Sequence, residues 1–242
     1  MRDTRGSSSL TFAAAPASGL RDDTGMQDSV PEVLHGFDPT LLLVLNLAGT
    51  FVFGLSGGLA AVQARLDIFG VLVLAIAVGL AGGITRDLLI GIPPSTFRDW
   101  RYLAVAGGAG AFTFLAHPAL ERLERPILVL DAAGLALFCV TGASTALDHH
   151  VGAVEAVVLG AITGVGGGVL RDILVREIPV VLRTGLYAIP ALVGAGVVVA
   201  AGKGGSHNLA FPLVGAAVCF LIRLVGLSLD LNVPQAPGRR RS

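Results

Sequence analysis

The chain has 242 residues, of which 53% are hydrophobic and 14% are charged, and its mean hydropathy is +0.77. Soluble domains carry about 25% charged residues, so this chain lacks the polar surface that a water-soluble monomer of its size needs. Its formal net charge of zero gives no sign of a nucleic-acid-binding surface. We therefore expect an integral membrane protein, embedded in a lipid bilayer and without a nucleic-acid partner.

A polar segment precedes the hydrophobic body of the chain. Residues 1–38 are rich in Ser, Asp, Ala and Gly and have no periodic apolar pattern, which predicts a disordered tail. The apolar stretch 10–15 is too short, and too soon interrupted by Pro16, to be the core of a signal peptide. Met26 is the only methionine besides Met1, so a translation start at Met26 is a hypothesis that an intact mass would test.

From Leu41 onward, apolar runs of roughly 17 to 24 residues follow one another, as expected of helices that cross about 30 Å of hydrocarbon. Continuous runs of this length disfavour membrane strands, which alternate over about ten residues. The fold class expected is all-α integral membrane. The sequence predicts seven transmembrane helices, over residues 41–62, 68–91, 101–117, 127–147, 152–173, 182–201 and 208–228.

Basic residues in the short links predict the orientation of the helices, since positive charges collect on the cytoplasmic side. Seven helices place the two termini on opposite sides of the membrane. The links on the N-terminal side, with the remote tail excluded, contain Arg98, Arg101 and Lys203. Those on the C-terminal side contain Arg65, Arg122, Arg125, Arg176, Arg183, Arg239, Arg240 and Arg241. This asymmetry predicts an N-terminus outside the cell and a cytoplasmic C-terminus.

The most informative feature is an internal repeat. The segment GGITRDLL at 82–89 recurs as GGVLRDIL at 167–174, an offset of 171 − 86 = 85 residues that holds without a gap in both directions. A common offset for Arg-Asp, Pro, Arg and Tyr is not expected from composition alone. The pairs include Gly49 with Gly134, Phe53 with Phe138, Pro94 with Pro179, Arg98 with Arg183, and Tyr102 with Tyr187.

Each copy holds three predicted helices, so the second copy must enter the membrane from the opposite side. We therefore expect two inverted three-helix repeats plus one further helix. The predicted divisions are a first repeat over 39–125, a second repeat over 126–207, a seventh helix over 208–230 and a basic C-terminal tail over 231–242.

Each repeat carries an Arg-Asp pair at the end of an apolar run: Arg86 with Asp87, and Arg171 with Asp172. Charges inside a membrane are costly, so these side chains should face the bundle interior or a water-filled cavity. We interpret them as lining the two halves of a permeation path. The alternative is that the pairs are interfacial anchors whose members satisfy each other.

Glycines come just before both pairs, and we take Gly82, Gly83, Gly166, Gly167 and Gly168 as candidate hinges. Such glycines favour a break, a kink or a close backbone approach. The alternative is tight helix packing at small-xxx-small spacing.

The remaining candidates are also paired by the repeat. Asn46 and Asp131 occupy equivalent positions early in two predicted helices, and Asp131 is either a pore-lining carboxylate or a cap at headgroup level. Tyr102 and Tyr187 mark interfacial belts or, because of their symmetric placement, a gate. We group Arg98 and Arg183 with them as gate candidates.

Motifs of enzymes and metal sites are missing from the sequence. It contains no GxxxxGK[ST], GxSxG or HExxH motif. Cys139 and Cys219 lie inside apolar runs without metal-ligand spacing, so we interpret them as core residues. We predict no enzymatic activity, no cofactor and no metal.

Two three-helix repeats, each with glycines, Arg-Asp and a following proline, resemble the trimeric intracellular cation channel (TRIC) family. The resemblance covers about residues 38–230, is most specific at 82–94 and 163–183, and is closer to the bacterial branch, whose domain is also labelled a glycine transporter. It implies a homotrimer in a plasma membrane, with a pore for monovalent cations such as potassium in each protomer. It also implies that the second and fifth helices flank the pore, and it gives the same orientation as the arginines.

The second repeat departs from this pattern after its Arg-Asp pair, because Arg176 stands where the first repeat has Gly91. The lysine-bearing lipid-binding motif of the animal members has no clear equivalent, so phosphoinositide regulation is not carried over. A carrier for glycine or another small zwitterion remains the alternative to a channel. Half-helix ends that offer positive dipoles to a carboxylate would suit such a carrier.

Overall fold

The structure is a computed structural model that describes residues 38–120, 126–183, 187–204, 208 and 210–229. Within these residues every regular element is a helix. Almost the whole predicted N-terminal tail, the predicted C-terminal tail and the polar link at 121–125 lie outside the described residues, as does Met26. The predictions made for them are therefore still predictions.

The apolar runs of the sequence correspond to long helices. In the described part of the chain these are α1 (Pro39–Gln63), α2 (Ile68–Ile90), α4 (Trp100–Leu120), α5 (Pro126–Asp148), α6 (Ala153–Leu174), α8 (Ala188–Lys203) and α9 (Ala210–Ser228). Two four-residue helices, α3 (Ser95–Arg98) and α7 (Val180–Arg183), were not expected from the sequence. The predicted span over 182–201 therefore starts too early, because its first residues belong to α7.

Five of the described helices are long and apolar enough to cross a membrane, namely α1, α2, α5, α6 and α9. Helix α8 is apolar but has only 16 residues. An all-helical membrane fold is thus confirmed, while membrane crossing by α4 and α8 is still a prediction.

Aspartates fix the start of the first two helices. The side chain of Asp38 accepts a hydrogen bond from the Thr40 amide at 2.7 Å, and Pro39 follows at the first helical position. Asp67 accepts a hydrogen bond from the Gly70 amide at 2.8 Å. Each carboxylate satisfies an amide that has no partner within its helix.

Four described residues have a positive φ, and they form two pairs at the repeat offset. Arg65 and His150 both have a φ of 59°, with 150 − 65 = 85. Gly91 and Arg176 have φ values of 84° and 62°, with 176 − 91 = 85. The departure from the repeat at Arg176 is therefore one of residue type and not of backbone, since Arg176 adopts the left-handed conformation at a cost of roughly 1–2 kcal/mol.

The contacts between helices also repeat at the offset of 85 residues. Helix α1 packs on α2 and α4, and α2 packs on α4; α5 packs in the same way on α6 and α8, and α6 on α8. We call α1, α2 and α4 the first set of helices and α5, α6 and α8 the second set. The two sets meet where α1 contacts α5 and where α2 contacts α6. Helix α9 packs mainly on α5 and α8, which places it against the second set.

Two glycines allow the two sets to come into close contact. A Cβ atom on Gly82 would lie 2.7 Å from Phe138 Cδ2 and would collide with the carbonyl oxygen of Thr163. A Cβ atom on Gly167 would lie 3.0 Å from both Phe53 Cδ1 and the Val78 carbonyl oxygen. The α2–α6 contact therefore depends on residues without a side chain at these two positions.

Candidate permeation site

The first Arg-Asp pair forms a buried ion-pair cluster with Asn46. Arg86 Nε donates to Asp87 Oδ1 at 2.8 Å, and Arg86 Nη1 donates to Asn46 Oδ1 at 2.9 Å. Asn46 Nδ2 in turn donates to the Leu42 carbonyl oxygen at 2.8 Å. Arg86 is 3% exposed and Asp87 is fully buried. We call Arg86, Asp87 and Asn46 the first cluster.

Asp87 also fixes the short helix α3. Its Oδ2 atom accepts hydrogen bonds from the Ser95 amide at 2.7 Å and from Ser95 Oγ at 2.9 Å. One carboxylate thus binds both a guanidinium and the first residue of α3. Ser95 could not be singled out from the sequence, because almost any residue type can supply a backbone amide.

The second Arg-Asp pair forms an equivalent cluster with Asp131. Arg171 Nε and Nη2 donate to Asp172 Oδ1 at 2.9 and 2.8 Å, and Arg171 Nη1 donates to Asp131 Oδ1 at 2.8 Å. Arg171 Nη1 also donates to Ser56 Oγ on α1 at 2.7 Å. Asp172 Oδ2 accepts from the Val180 amide at 2.9 Å. We call Arg171, Asp172 and Asp131 the second cluster.

The repeat offset relates the two clusters contact by contact. Asn46 and Asp131 differ by 131 − 46 = 85, and both bind the Nη1 atom of the arginine in their own cluster. Ser95 and Val180 differ by 180 − 95 = 85, and the amide of each binds the aspartate. The structure therefore brings the six predicted charged and amide residues together as two groups of three.

Both arginines lie inside the bundle and not at its surface, since Arg86 is 3% and Arg171 is 2% exposed. Breaking a buried ion pair by removing one partner leaves an uncompensated charge. The members of each pair do satisfy each other, as the alternative interpretation expected. Asp131 is fully buried five residues after the start of α5, and it binds a guanidinium instead of capping the helix.

A cavity of about 410 Å³ borders the second cluster. Arg171 and Asp172 form part of its wall, together with Glu177 and Arg183. Ala60 and Gln63 at the C-terminal end of α1, and Ala64 just after it, also line the cavity. Charged groups of both signs therefore face one space. Arg183 is exposed at the end of α7, and its counterpart Arg98 is exposed at the end of α3.

The two tyrosines are buried, which does not fit a lipid-facing aromatic belt. Tyr102 is 7% and Tyr187 is 1% exposed. The ring of Tyr187 lies under the guanidinium of Arg223, with 4.6 Å between Cζ and the ring centroid. Arg223 was missed at the sequence level, although a lone arginine within the apolar run of α9 is itself a signal.

The candidate hinge glycines lie in unbroken helix, since α2 and α6 are continuous through them. A Cβ atom on Gly168 would lie 2.7 Å from Asp131 Oδ1 and would collide with the Tyr187 hydroxyl. Its counterpart Gly83 has Thr96 Cγ2 as its nearest such neighbour, at 3.9 Å. A Cβ atom on Gly166 would lie 3.4 Å from the Cα atom of Gly82. Gly166 therefore lies close to backbone and Gly168 close to side chains, whereas Gly83 has free space beside it; hinge motion is still a prediction.

The other polar groups in the described residues are weaker candidates for a functional site than the two clusters. Among the described residues, no three His, Cys, Asp or Glu side chains are grouped so that they could hold a metal ion. Arg101 forms an exposed ion pair with Asp99 at 2.6 Å, and the hydrogen bond from Arg101 lowers the pKa of the Asp99 carboxyl. Exposed pairs of this kind contribute little to stability.

Comparison with known proteins identifies the fold. A family model described as "Glycine transporter" matches residues 43–118 and again residues 128–203, so the two matches begin 128 − 43 = 85 residues apart. A TRIC cation channel orthologue from Rhodobacter sphaeroides has a TM-score of 0.75 to this chain at 38% identity, covering 79% of this chain and all of the other. The chain belongs to the TRIC family. A prokaryotic TRIC channel crystallised in 0.5 M KCl has a TM-score of 0.74 at 34% identity, covering 80% of this chain and 99% of the other.

Relatives of this TRIC protein are bacterial membrane proteins. A UPF0126 membrane protein of Streptomyces coelicolor is 53% identical over 207 residues, which are 85% of this chain and 95% of the relative. The UPF0126 inner membrane protein YadS of Escherichia coli is 39% identical over 201 residues, or 80% of this chain and 95% of the relative. Together with the five apolar helices, these relatives identify an integral membrane protein of bacterial type.

Proposed function

We propose that this protein is a channel for monovalent cations, including potassium, with one pore inside each protomer of a homotrimer. One observation carries the proposal: each repeat holds a buried Arg-Asp cluster, and the second cluster borders a cavity. The similarity to TRIC cation channels, at TM-scores of 0.74 and 0.75, supports it.

The proposed layout is a pair of inverted repeats. Helices α1, α2 and α4 form one repeat, α5, α6 and α8 form the other, and α9 is added to the second. Three crossings per repeat invert the second copy relative to the first. The N-terminus then lies outside the cell and the C-terminus in the cytoplasm, so the cavity beside Gln63 and Arg183 opens toward the cytoplasm.

In this proposal the carboxylates select the sign of the permeating ion. Asp172 is held by Arg171 and by the Val180 amide, so it presents a fixed carboxylate at the cavity wall. Carboxylates along a pore favour cations over anions. The buried Tyr102 and Tyr187 are candidate gate residues. Arg98 and Arg183 are also candidate gate residues, one at each end of the proposed pore.

A carrier for glycine or another small zwitterion is the second candidate function. Two observations favour it: the description of the matching family model, and a cavity wall that contains both Arg183 and Glu177. A guanidinium binds a carboxylate well, and a carboxylate binds an ammonium group. The same wall would therefore suit both ends of an amino acid.

Planar-bilayer recording of the purified protein under a KCl gradient tests the proposal. We expect discrete current steps that reverse near the potassium equilibrium potential and do not change when glycine is added. A silent bilayer, together with radiolabelled glycine uptake by proteoliposomes from the same preparation, would overturn the channel in favour of the carrier. Light scattering of the detergent-solubilised protein tests the trimer separately.

A further inference from the structure

Arg223 is a buried charge on the helix that lies outside the repeat. Its side chain belongs to α9 and is 2% exposed. Its guanidinium stacks on the ring of Tyr187, with Cζ 4.6 Å from the ring centroid. An arginine within an apolar helix is costly unless the protein gives it a partner of opposite charge.

The second cluster contains one more carboxylate than the first. In the first cluster Arg86 faces Asp87, and the third member is the neutral Asn46. In the second cluster Arg171 faces both Asp172 and Asp131. The charges of the first cluster sum to zero, whereas the three residues of the second cluster sum to −1.

Tyr187 lies between Arg223 and the surroundings of this extra carboxylate. A Cβ atom on Gly168 would touch both the Tyr187 hydroxyl and Asp131 Oδ1, so these two groups lie side by side above Gly168. Arg223 packs on the ring of the same tyrosine, with Cζ 4.6 Å from the ring centroid. The positive charge of α9 and the extra carboxylate of the second cluster therefore lie against the same side chain, Tyr187.

We propose that Arg223 is a positioning residue whose charge balances Asp131, so that α9 completes the second cluster. The first cluster needs no such helix, because Asn46 adds no charge. This role of Arg223 is a property of the folded protein and does not depend on which ion or solute permeates. The charge of Arg223 thus gives α9, the helix outside the repeat, a structural role in the second cluster.

A double-mutant cycle in purified, detergent-solubilised protein tests the proposal by thermal unfolding. We expect Arg223→Met and Asp131→Asn each to lower the midpoint by roughly 5 °C or more, because each leaves a buried charge unbalanced. The double variant should recover most of that loss, since its second cluster then has the charges of the first. Arg223→Lys should lose less than Arg223→Met, because it retains the charge.

The first cluster supplies the matched control. Asn46→Asp adds to it the carboxylate of the second cluster without a second guanidinium, so it should lower the midpoint as Asp131→Asn does. Additive losses in the double variant, or a wild-type midpoint for Arg223→Met, would overturn the proposal. If Arg223→Met yields no folded protein, the double variant decides: folded protein supports charge balance, and its absence means that Arg223 acts through packing on Tyr187.

Discussion

Phe53 and Phe138 stand 138 − 53 = 85 residues apart, and their rings pack against each other with centroids 5.4 Å apart and planes tilted by 43°. Each ring also lies against a glycine of the opposite set, Phe53 against Gly134 and Phe138 against Gly49. The pair therefore joins the two sets through equivalent contacts. Both rings are completely or almost completely buried.

Replacing either ring should weaken this junction. Phe53→Ala and Phe138→Ala should each lower the free energy of unfolding by about 3 kcal/mol or more, because a buried ring leaves a cavity that its neighbours fill only in part. Denaturant or thermal unfolding of the purified protein measures the change. Phe69→Ala is the control, since that ring is 72% exposed. Equal losses for Phe69 and Phe53 would contradict the central role of the pair.

Equivalent glycines should respond differently to alanine. Gly168→Ala pushes a methyl group into the Tyr187 hydroxyl and Asp131, whereas Gly83→Ala has no such neighbour closer than 3.9 Å. We expect Gly168→Ala to lower both the unfolding midpoint and the bilayer current, and Gly83→Ala to leave the midpoint within about 2 °C of wild type. A variant pair with the same midpoint would show that Tyr187 moves aside without cost.

The left-handed turns offer a test of backbone strain. Gly91→Ala should lower the free energy of unfolding by about 1 kcal/mol, because the φ of 84° disfavours a side chain while nothing lies within 4 Å of the new methyl group. Arg176→Gly should raise the free energy of unfolding, since Arg176 has a φ of 62° and glycine adopts that backbone conformation without strain. Chemical denaturation of both variants measures the two effects, and the same sign for both would refute the explanation.

Asp172 should matter for ion selectivity more than for folding. In Asp172→Asn the charge left unbalanced in the second cluster borders the cavity, where water can solvate it, so the loss of stability should be smaller than in the enclosed Asp131→Asn. Arg171 retains its ion pair with Asp131, and the amide oxygen can still accept from the Val180 amide. We therefore expect folded protein whose reversal potential in a KCl gradient moves toward zero as cation selectivity falls. Glu155→Gln removes an exposed carboxylate at the other end of α6 and serves as the control. Unchanged reversal potentials in both variants would remove Asp172 from the permeation path.

Inverted repeats place equivalent residues on opposite sides of the membrane. Arg98 and Arg183 are equivalent and exposed, at the ends of α3 and α7. Single cysteines at these positions, in a background without Cys139 and Cys219, should react with an impermeant maleimide from opposite sides of intact cells. Arg98→Cys should label from outside and Arg183→Cys only after lysis. Labelling of both from one side would mean that the repeats are parallel.

Much of the fold is readable from hydropathy, because apolar runs of membrane length have few alternatives to helix. The helices α3 and α7 were not predictable in this way. A four-residue helix is too short to show periodicity, and Asp87 and Asp172 fix these two helices from eight residues upstream.

The candidate site was found through the repeat, which singled out Arg86, Arg171 and their neighbouring aspartates. The offset also paired Asn46 with Asp131, but only the folded chain reveals that each binds its own arginine. Arg223 could not be found by comparing the two repeats, because α9 lies outside the repeat and has no equivalent helix. The burial of Tyr102 and Tyr187 depends on packing between helices, which position along one helix does not reveal.

Arg223 also bears on how the protein is made. It belongs to the last of the described helices, so during synthesis Asp131 and Tyr187 leave the ribosome before it does. Before α9 enters the membrane, the second cluster of the nascent chain therefore has a net charge of −1, without the arginine that we propose to balance it. We therefore expect the second half of the molecule to mature only when its final hydrophobic segment arrives, and the first half to be complete earlier.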